Sequence, residues 1–299
     1  MLLERTNLFH WETLVYLEMF IAGVAAGAYG TAALLEWLGR GRSPLARTAH
    51  LLAFPLMLIA AFLLIIDLQR PERFWHMTLQ SKTLLPMFKP WSPMSLGSLI
   101  ILLFSAVAFI SFVDAVIDRG ALALGGWRQG RTLHGSALGR LWAVIGGLLA
   151  FGTASYSGVL LSVSNIPGWG QSTLIGALYV ATAMVTGMAA LLLLQALSGR
   201  VAPTDLVTLA QANTWLIVWW LVVLVLFVAT LGGGAVFFLS GAALVALIGA
   251  VVLGGIVPLI LWFGPARTGR AGAAAFAVLV LLGGLLVRYA VVMGPQQHG

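Results

Sequence analysis

A few charged side chains lie inside or at the ends of long apolar segments of this sequence, namely Glu12, Glu18, Asp67 and Arg288. Ionisable groups are costly within membrane helices, and they are retained there mainly where they have a function. A carboxyl group whose pKa is tuned by burial can accept or release a proton. We therefore predict Glu12, Glu18 and Asp67 as candidates for proton exchange.

Two further acidic residues, Glu36 and Asp114, lie near the other ends of their apolar segments. Arg40 and Arg119 follow them closely along the chain. Helix capping or ordinary ion pairing with these arginines is the expected role of the two carboxylates. The first group of charged residues is therefore the better candidate for chemistry.

The five histidines test an electron-transfer interpretation. A membrane cytochrome b holds its haem between histidines at matching depth on facing helices, and histidine is a common axial ligand of haem iron. His10 and His50 are predicted at opposite ends of their helices, while His76, His134 and His298 fall in connections or in the tail. The sequence also has no cysteine to hold an iron–sulfur cluster or a Cys-ligated zinc. We expect no haem, no iron–sulfur cluster and no metal in this chain.

The helices that carry these charged residues and histidines are predicted to be those of an integral membrane protein. Of the 299 residues, 61% are hydrophobic and 8% are charged, and the mean hydropathy is +1.02. A soluble domain has about 25% charged residues, so the bilayer must solvate most of this surface. A spanning helix needs roughly 20 apolar residues, and these long runs predict an all-α fold with eight transmembrane helices. The helices cover about residues 13–38, 48–68, 95–117, 139–162, 172–197, 206–230, 235–263 and 272–293.

We interpret residues 1–299 as a single membrane domain, with helices 1–4 at about 13–162 and helices 5–8 at about 172–293. The net charge is +7, and the basic residues concentrate in the short connections between apolar runs rather than on a surface for nucleic acid. Ten Lys and Arg lie in one set of connections and five in the other. The positive-inside rule then places both termini outside a bacterial cytoplasmic membrane. The N-terminal sequence predicts no removable signal peptide.

One long connection on the predicted outer side covers residues 69–94 and has the sequence QRPERFWHMTLQSKTLLPMFKPWSPM. Its charged residues alternate with aromatic ones, among them Arg70, Arg73, Trp75 and Trp91. Arginine and aromatic side chains are enriched in protein interfaces, so these four residues are candidates for partner docking. A surface loop whose aromatic rings rest among lipid headgroups is the alternative.

Five motifs follow one another along the chain. The first is His10-Trp11-Glu12 followed by YLEMFIAGVAAGAYG. The others are IDLQRPERFWHM, SPMSLGS, ASYSGVLLS and LLVRYAVVMGPQ. Together they span nearly the whole chain, while the connection around residues 120–140 lies outside them. In this order the motifs resemble the NrfD/PsrC family of quinone-binding membrane anchors of polysulfide reductases and related molybdenum-enzyme complexes.

The resemblance implies two four-helix bundles and a site for menaquinone or ubiquinone at the outer face. It also implies an iron–sulfur, ferredoxin-like partner subunit, which in turn contacts a molybdopterin catalytic subunit. Electrons would then reach the quinone from that partner or pass to it, and residues 69–94 would be its docking loop. This chain would react with quinone without acting on the terminal substrate.

By this resemblance, four residues match positions at the family's quinone site. His10 matches the histidine at the quinone head group, and Tyr156 matches the tyrosine of ASYSG. Asp67 stands where the family has an acidic residue near that pocket, and Arg288 lies in the C-terminal motif. Reduction converts two quinone carbonyls into hydroxyls, which requires hydrogen-bond donors such as an imidazole or a phenol and a group that exchanges protons.

Two other functions stay open at this point. A secondary transporter of a small solute also has many helices and few buried charges, and internal repeats or interrupted helices near the midplane would favour it. A structural anchor without a quinone site would tolerate replacement of His10 and Tyr156. The sequence identifies neither the terminal substrate, nor the direction of electron flow, nor the kind of quinone.

Overall fold

The computed structural model is all-helical. It describes residues 13–68, 71–80, 82–83, 85, 88–120, 133–164, 166, 168–199, 202–264 and 269–298. Eight helices in these ranges are long and apolar enough to cross a membrane, which confirms the prediction of a multi-pass, all-α membrane protein. They are Thr13–Trp37 (α1), Pro44–Asp67 (α2), Pro93–Asp118 (α3), Ala137–Ser162 (α4), Ile175–Ser198 (α5), Pro203–Ala229 (α6), Gly241–Phe263 (α7) and Arg270–Met293 (α8).

Serine caps start three of these helices earlier than hydropathy alone predicts. Ser43, Ser92 and Ser136 each accept a hydrogen bond from the backbone N–H three residues further on. A serine hydroxyl in this position satisfies one of the otherwise unbonded N–H groups of the first turn. Pro44 and Pro93 follow two of the caps, and proline suits the first helical position because it has no N–H to satisfy.

The seventh span differs from the continuous helix predicted over 235–263. A short helix, Ala235–Phe238, is separated from α7 by a turn in which Gly241 adopts a φ of 53°. Within α7, residues Ala250–Ile256 form a π-helix. Pro258 has no N–H for the carbonyl of Gly254, so the regular α-helical bonding cannot continue through this segment. The prediction missed both features because the whole region is uniformly apolar.

Helices α1–α4, here called the first group, pack on one another, as do α5–α8, the second group, and α1, α4 and α5 form the largest contacts between the groups. Helices α1 and α5 are the most buried. In the most apolar 18-residue stretch of each of these two helices, 72% of residues are buried. A Cβ added at Gly27 would overlap the carbonyl of Ala183, so the two backbones touch where α1 and α5 cross. Small residues at such crossings allow close packing without any hydrophobic driving force between helices.

Because the number of spans is even, α1 begins and α8 ends at the same side of the helical bundle. We call this side the terminal face and the other side the opposite face. Large apolar side chains such as Trp215, Phe263 and Leu148 are exposed along the outside of the helices, where they would contact lipid. The polar side chains discussed below lie instead between helices, near one face or the other.

Candidate functional site at the terminal face

A buried arginine lies at the centre of the terminal-face site. Arg288 of α8 is 1% exposed, and its guanidinium lies 3.5 Å from the ring centroid of Tyr179 on α5. Its Nη2 donates to the backbone carbonyl of Tyr179 at 3.0 Å, whereas Nε and Nη1 have no hydrogen-bond partner among the described residues. Buried polar groups are normally satisfied, so two unused donors on one guanidinium indicate a position at which another group can bind.

Gly23 of α1 has no side chain and so leaves room for the guanidinium of Arg288. A Cβ at this position would lie 3.0 Å from Nη2 of Arg288. Tyr179 completes the contact from the other side, and its hydroxyl donates to the sulfur of Met19 at 3.9 Å. Sequence analysis missed Tyr179, because a single tyrosine within an apolar run carries no signal that distinguishes it from a packing residue.

Glu18 lies within electrostatic range of this arginine and of two other predicted residues. Glu18 is buried in α1, close enough to the guanidinium of Arg288 and to the carboxylate of Asp67 to interact with both electrostatically. Tyr156 of α4 lies within electrostatic range of the same carboxylate. The structure therefore brings Glu18, Asp67, Tyr156 and Arg288 together from four different helices.

The ring of Tyr156 lies directly over a glycine of α3. A Cβ at Gly97 would overlap the Tyr156 ring, so the ring occupies the space that any other side chain at position 97 would fill. Two residues further along α4, a Cβ at Gly158 would lie 2.7 Å from Cα of Gly176 on α5. Close helix contacts on both sides thus fix the position of Tyr156.

Two of the predicted site residues, His10 and Glu12, lie outside the described part of the chain, as does Arg70 of the predicted docking set. The residues after α2 include a 3₁₀ helix, Pro71–Met77. Arg73 is exposed there, and the ring of Trp75 stacks on that of His76 with a centroid distance of 3.7 Å. Trp91 is 79% exposed. The described parts of the connection thus present charged and aromatic groups at the terminal face.

A second polar cluster lies at the opposite face, and it corrects the expected role of Glu36 and Asp114. Oε1 of Glu36 accepts the backbone N–H of Gly135 at 2.7 Å. The two oxygens of Asp114 accept the N–H groups of Leu133 and His134 at 2.7 and 3.3 Å. These carboxylates hold the segment before α4, a role that sequence spacing to Arg40 and Arg119 could not indicate.

The same cluster contains a buried histidine pair, which the sequence analysis did not anticipate. His50 and His134 are 2% and 5% exposed, and their rings stack at a centroid distance of 4.0 Å and an angle of 18°. The prediction failed because His134 belongs to a connection that folds back between helices. Burial lowers the pKa of His134, although Asp114 and Glu36 act in the opposite direction. Within the described residues, no group of three or more His, Cys, Asp or Glu could hold a metal ion.

The fold and the two polar clusters define a class, that of multi-pass, all-helical membrane proteins with buried titratable groups near both faces. The chain belongs to the NrfD family, because the family model described as "Polysulphide reductase, NrfD" matches residues 2–298. It is also similar to the C subunit of polysulfide reductase from Wolinella succinogenes, with 29% identity over 199 residues. That match covers 64% of this protein, which spans only 59% of the relative's length.

Proposed function

We propose that this chain is the membrane anchor subunit of a respiratory oxidoreductase complex, which binds quinone or quinol at the terminal face and exchanges electrons with an iron–sulfur subunit. The observation that carries this proposal is the buried Arg288, which has two unused donors and interacts electrostatically with Glu18. Tyr156 lies within electrostatic range of the same Glu18. Membership of the NrfD family and the similarity to a polysulfide reductase subunit support the same assignment.

The residues at the site fit a quinone head group. Menaquinone and ubiquinone each present two carbonyl oxygens, and their reduction takes up two electrons and two protons. The Tyr156 hydroxyl and the unused N–H groups of Arg288 are donors suited to a carbonyl oxygen. We assign His10 to the same site by its family motif, although it lies outside the described residues.

In this proposal, the carboxyl groups of the site exchange protons. Glu18 is buried, while Asp67 at the end of α2 is only partly buried. A buried carboxylate beside an arginine can hold a proton in transit, and a partly exposed one can pass it to water. We therefore assign Glu18 and Asp67 as an inner and a more exposed proton-exchange group, with Glu12 as a further candidate.

Electrons must leave or enter through another protein, because the sequence has no cysteine to hold an iron–sulfur cluster. We propose that an iron–sulfur subunit docks on residues 69–94 and connects this chain to a molybdopterin catalytic subunit. Arg73, Trp75 and Trp91 would contact it, together with Arg70. Replacing Arg73 and Trp75 by alanine should release the partner from the solubilised complex while the eight helices remain folded. An intact complex with normal electron transfer would exclude this loop as the dock.

We further propose that the terminal face is the outer face of a bacterial cytoplasmic membrane. The ten-to-five distribution of Lys and Arg supports this orientation. Reporter proteins fused after Gly299 and within residues 120–140 should localise to opposite sides of the membrane. Signals from the same side would contradict both the orientation and the eight-span topology.

The quinone site is tested by Tyr156→Phe and His10→Ala in the assembled complex. Tyr156→Phe removes one hydrogen bond and keeps the ring, so quinol-linked turnover should fall by about two- to tenfold, as expected for a loss of about 0.5–1.5 kcal/mol. The partner's activity with artificial dyes should survive as the internal control. Unchanged quinol kinetics in both variants would reject the site and favour a purely structural anchor.

The π-helix of α7 is the feature that would support a transporter, because interrupted membrane helices often form substrate sites. Here Gly254 packs tightly, because a Cβ on it would lie 2.7 Å from Cα of Gly283 and 3.3 Å from the ring of Trp220. Close helix packing, rather than a solute site, accounts for this segment. Co-purification of an iron–sulfur subunit would favour the anchor, and its absence would favour transport.

A further inference from the structure

The opposite-face cluster contains a buried ring whose polar atoms are unused. Neither ring nitrogen of His50 has a hydrogen-bond partner within the described part of the chain, although the residue is 2% exposed. The ring contacts Tyr29 edge-on at a centroid distance of 5.1 Å and stacks on His134. It also lines a small cavity together with Arg42, Arg47 and Asp118. An unpartnered, buried imidazole at a cavity has few explanations apart from a proton or a water bound there.

The charged groups around the two rings come from every element that packs on them. Glu36 of α1 places Oε2 3.5 Å from Nδ1 of His134. Arg42, in the α1–α2 connection, donates from Nε to the backbone carbonyl of His134 at 3.0 Å. On the far side, Asp114 of α3 accepts the backbone N–H of His134. Arg47 of α2 forms an ion pair with Asp118 of α3.

These groups leave one negative charge in the described cluster when both imidazoles are neutral. Glu36, Asp114 and Asp118 carry three negative charges, and Arg42 and Arg47 carry two positive ones. One proton on the histidine pair therefore makes the cluster neutral. A second proton would place two imidazolium rings face to face at 4.0 Å, where like charges repel strongly in a poorly solvated site.

We propose that His50 and His134 together form a binding site for one proton, which they take from the aqueous phase at the opposite face through the cavity beside Arg42, Arg47 and Asp118. Uptake forms one N–H bond on an imidazole and leaves a water molecule from the hydronium ion that gave the proton. His134 carries the proton, because its Nδ1 faces Glu36. His50 stays neutral and offers a nitrogen as an acceptor to water in the cavity. This site is separate from the terminal-face cluster and does not depend on quinone binding.

Deuterium exchange at the C2 carbon of each histidine, followed by mass spectrometry across about pH 4–9, tests the proposal in the full-length protein. Exchange at the C2 carbon of His76, which lies in the connection at the terminal face, is the internal control for labelling and detection. We expect His134 to titrate with a midpoint below the usual histidine value of about 6.5, while His50 shows no titration. Complete, independent titration of both rings, or titration of neither, would overturn the proposal.

Glu36→Gln removes the counter-charge and should lower the His134 midpoint by about one pH unit, a tenfold loss in proton affinity. Asp205→Asn is the matched control, because Asp205 is an exposed acidic residue in the first turn of α6. It should leave both midpoints unchanged. An unchanged His134 midpoint in Glu36→Gln would contradict the role of Glu36. If this variant does not fold, the titration of the two rings in the unaltered protein still decides whether the pair binds one proton.

Discussion

The two polar clusters of this protein differ in how their buried charged groups are hydrogen-bonded. At the opposite face, Glu36 and Asp114 accept backbone N–H groups from residues 133–135, so their charges are bonded within the chain. At the terminal face, Arg288 keeps two donors that no described residue bonds. The first arrangement fixes a connection, and the second leaves the bonding capacity that the proposed quinone would use.

The clusters also differ in which helices they join. The opposite-face cluster draws on α1, α2, α3 and the segment before α4, all within the first group of helices. The terminal-face cluster adds Tyr179 of α5 and Arg288 of α8 from the second group. A change at the terminal face should therefore affect function and the contact between the two groups, whereas a change at the opposite face should affect the stability of the first group.

The largest effect is expected from Arg288→Leu. It removes the hydrogen bond that the guanidinium donates to the carbonyl of Tyr179 and the positive charge with which Glu18 interacts, and losing a hydrogen bond from a charged group costs about 1.5–3 kcal/mol. The free energy of unfolding should fall by that amount, and quinol-linked turnover should be lost. Adding Glu18→Gln should recover much of the stability but none of the turnover. If the double variant is as unstable as Arg288→Leu alone, the two residues do not act as a pair.

Asp114→Asn should have the next largest effect, and on stability alone. The amide keeps one oxygen acceptor but presents an NH₂ group to a backbone N–H, so a charge-assisted bond worth about 1.5–3 kcal/mol is lost. Thermal unfolding should shift downward while the KM for quinol stays constant. A raised KM would show that the two clusters are coupled, which contradicts the division drawn here.

Gly97→Ala tests whether the position of Tyr156 matters at the terminal face. The new Cβ overlaps the ring, and overpacking of this kind costs about 1–3 kcal/mol. Quinol kcat/KM should fall in Gly97→Ala, and the loss should be smaller when Tyr156 is already phenylalanine. Gly233→Ala is the matched control, because a Cβ there meets no described residue within 4 Å.

If the Gly97→Ala chain does not assemble, a second variant still tests its contact with Tyr156. Tyr156→Ala removes the ring and should restore assembly of the Gly97→Ala chain if the ring is what the methyl group meets. Assembly that remains defective would mean that Gly97 is needed for helix packing rather than for the tyrosine.

Acidification should have the smallest effect, confined to the opposite face. Burial holds the pKa of His134 below its usual value, so the unfolded chain binds a proton more readily than the folded one. The contribution of His134 to stability is therefore complete above about pH 6.5 and decreases as the pH falls below that value. The protection of backbone amides at residues 133–136, measured as the intrinsic exchange rate divided by the observed rate, should decrease below about pH 6.5. A rate that depends on pH only through the intrinsic chemistry of exchange would contradict this.

The membrane fold was predictable because it depends on composition averaged over long segments. Hydropathy located all eight spans, and the serine caps and prolines that moved their starts are visible in the sequence afterwards. Hydropathy did not indicate the π-helix of α7, although Pro258 is visible in the sequence, nor the close approach of Gly254 to Gly283 on another helix. Hydropathy averages do not record such pairwise contacts.

The site was predictable only in part, for a similar reason. Glu18, Asp67 and Arg288 stood out as charges in apolar segments, and the structure brings them together with Tyr156. Tyr179 and Gly97 stayed hidden, because their role depends on which helix lies beside them. His134 was assigned to a connection, and sequence alone does not show that this connection folds back between helices.

The electrostatic interaction of Glu18 with Arg288 has a consequence for how the protein is made. One partner is on the first helix and the other on the last, so during synthesis α1 enters the membrane long before its arginine exists. Until α8 is inserted, Glu18 must either remain protonated or be held by water or by the insertion machinery. A chain shortened before α8 would expose an uncompensated acid in the bilayer, a feature by which quality-control proteases could distinguish unfinished chains from finished ones.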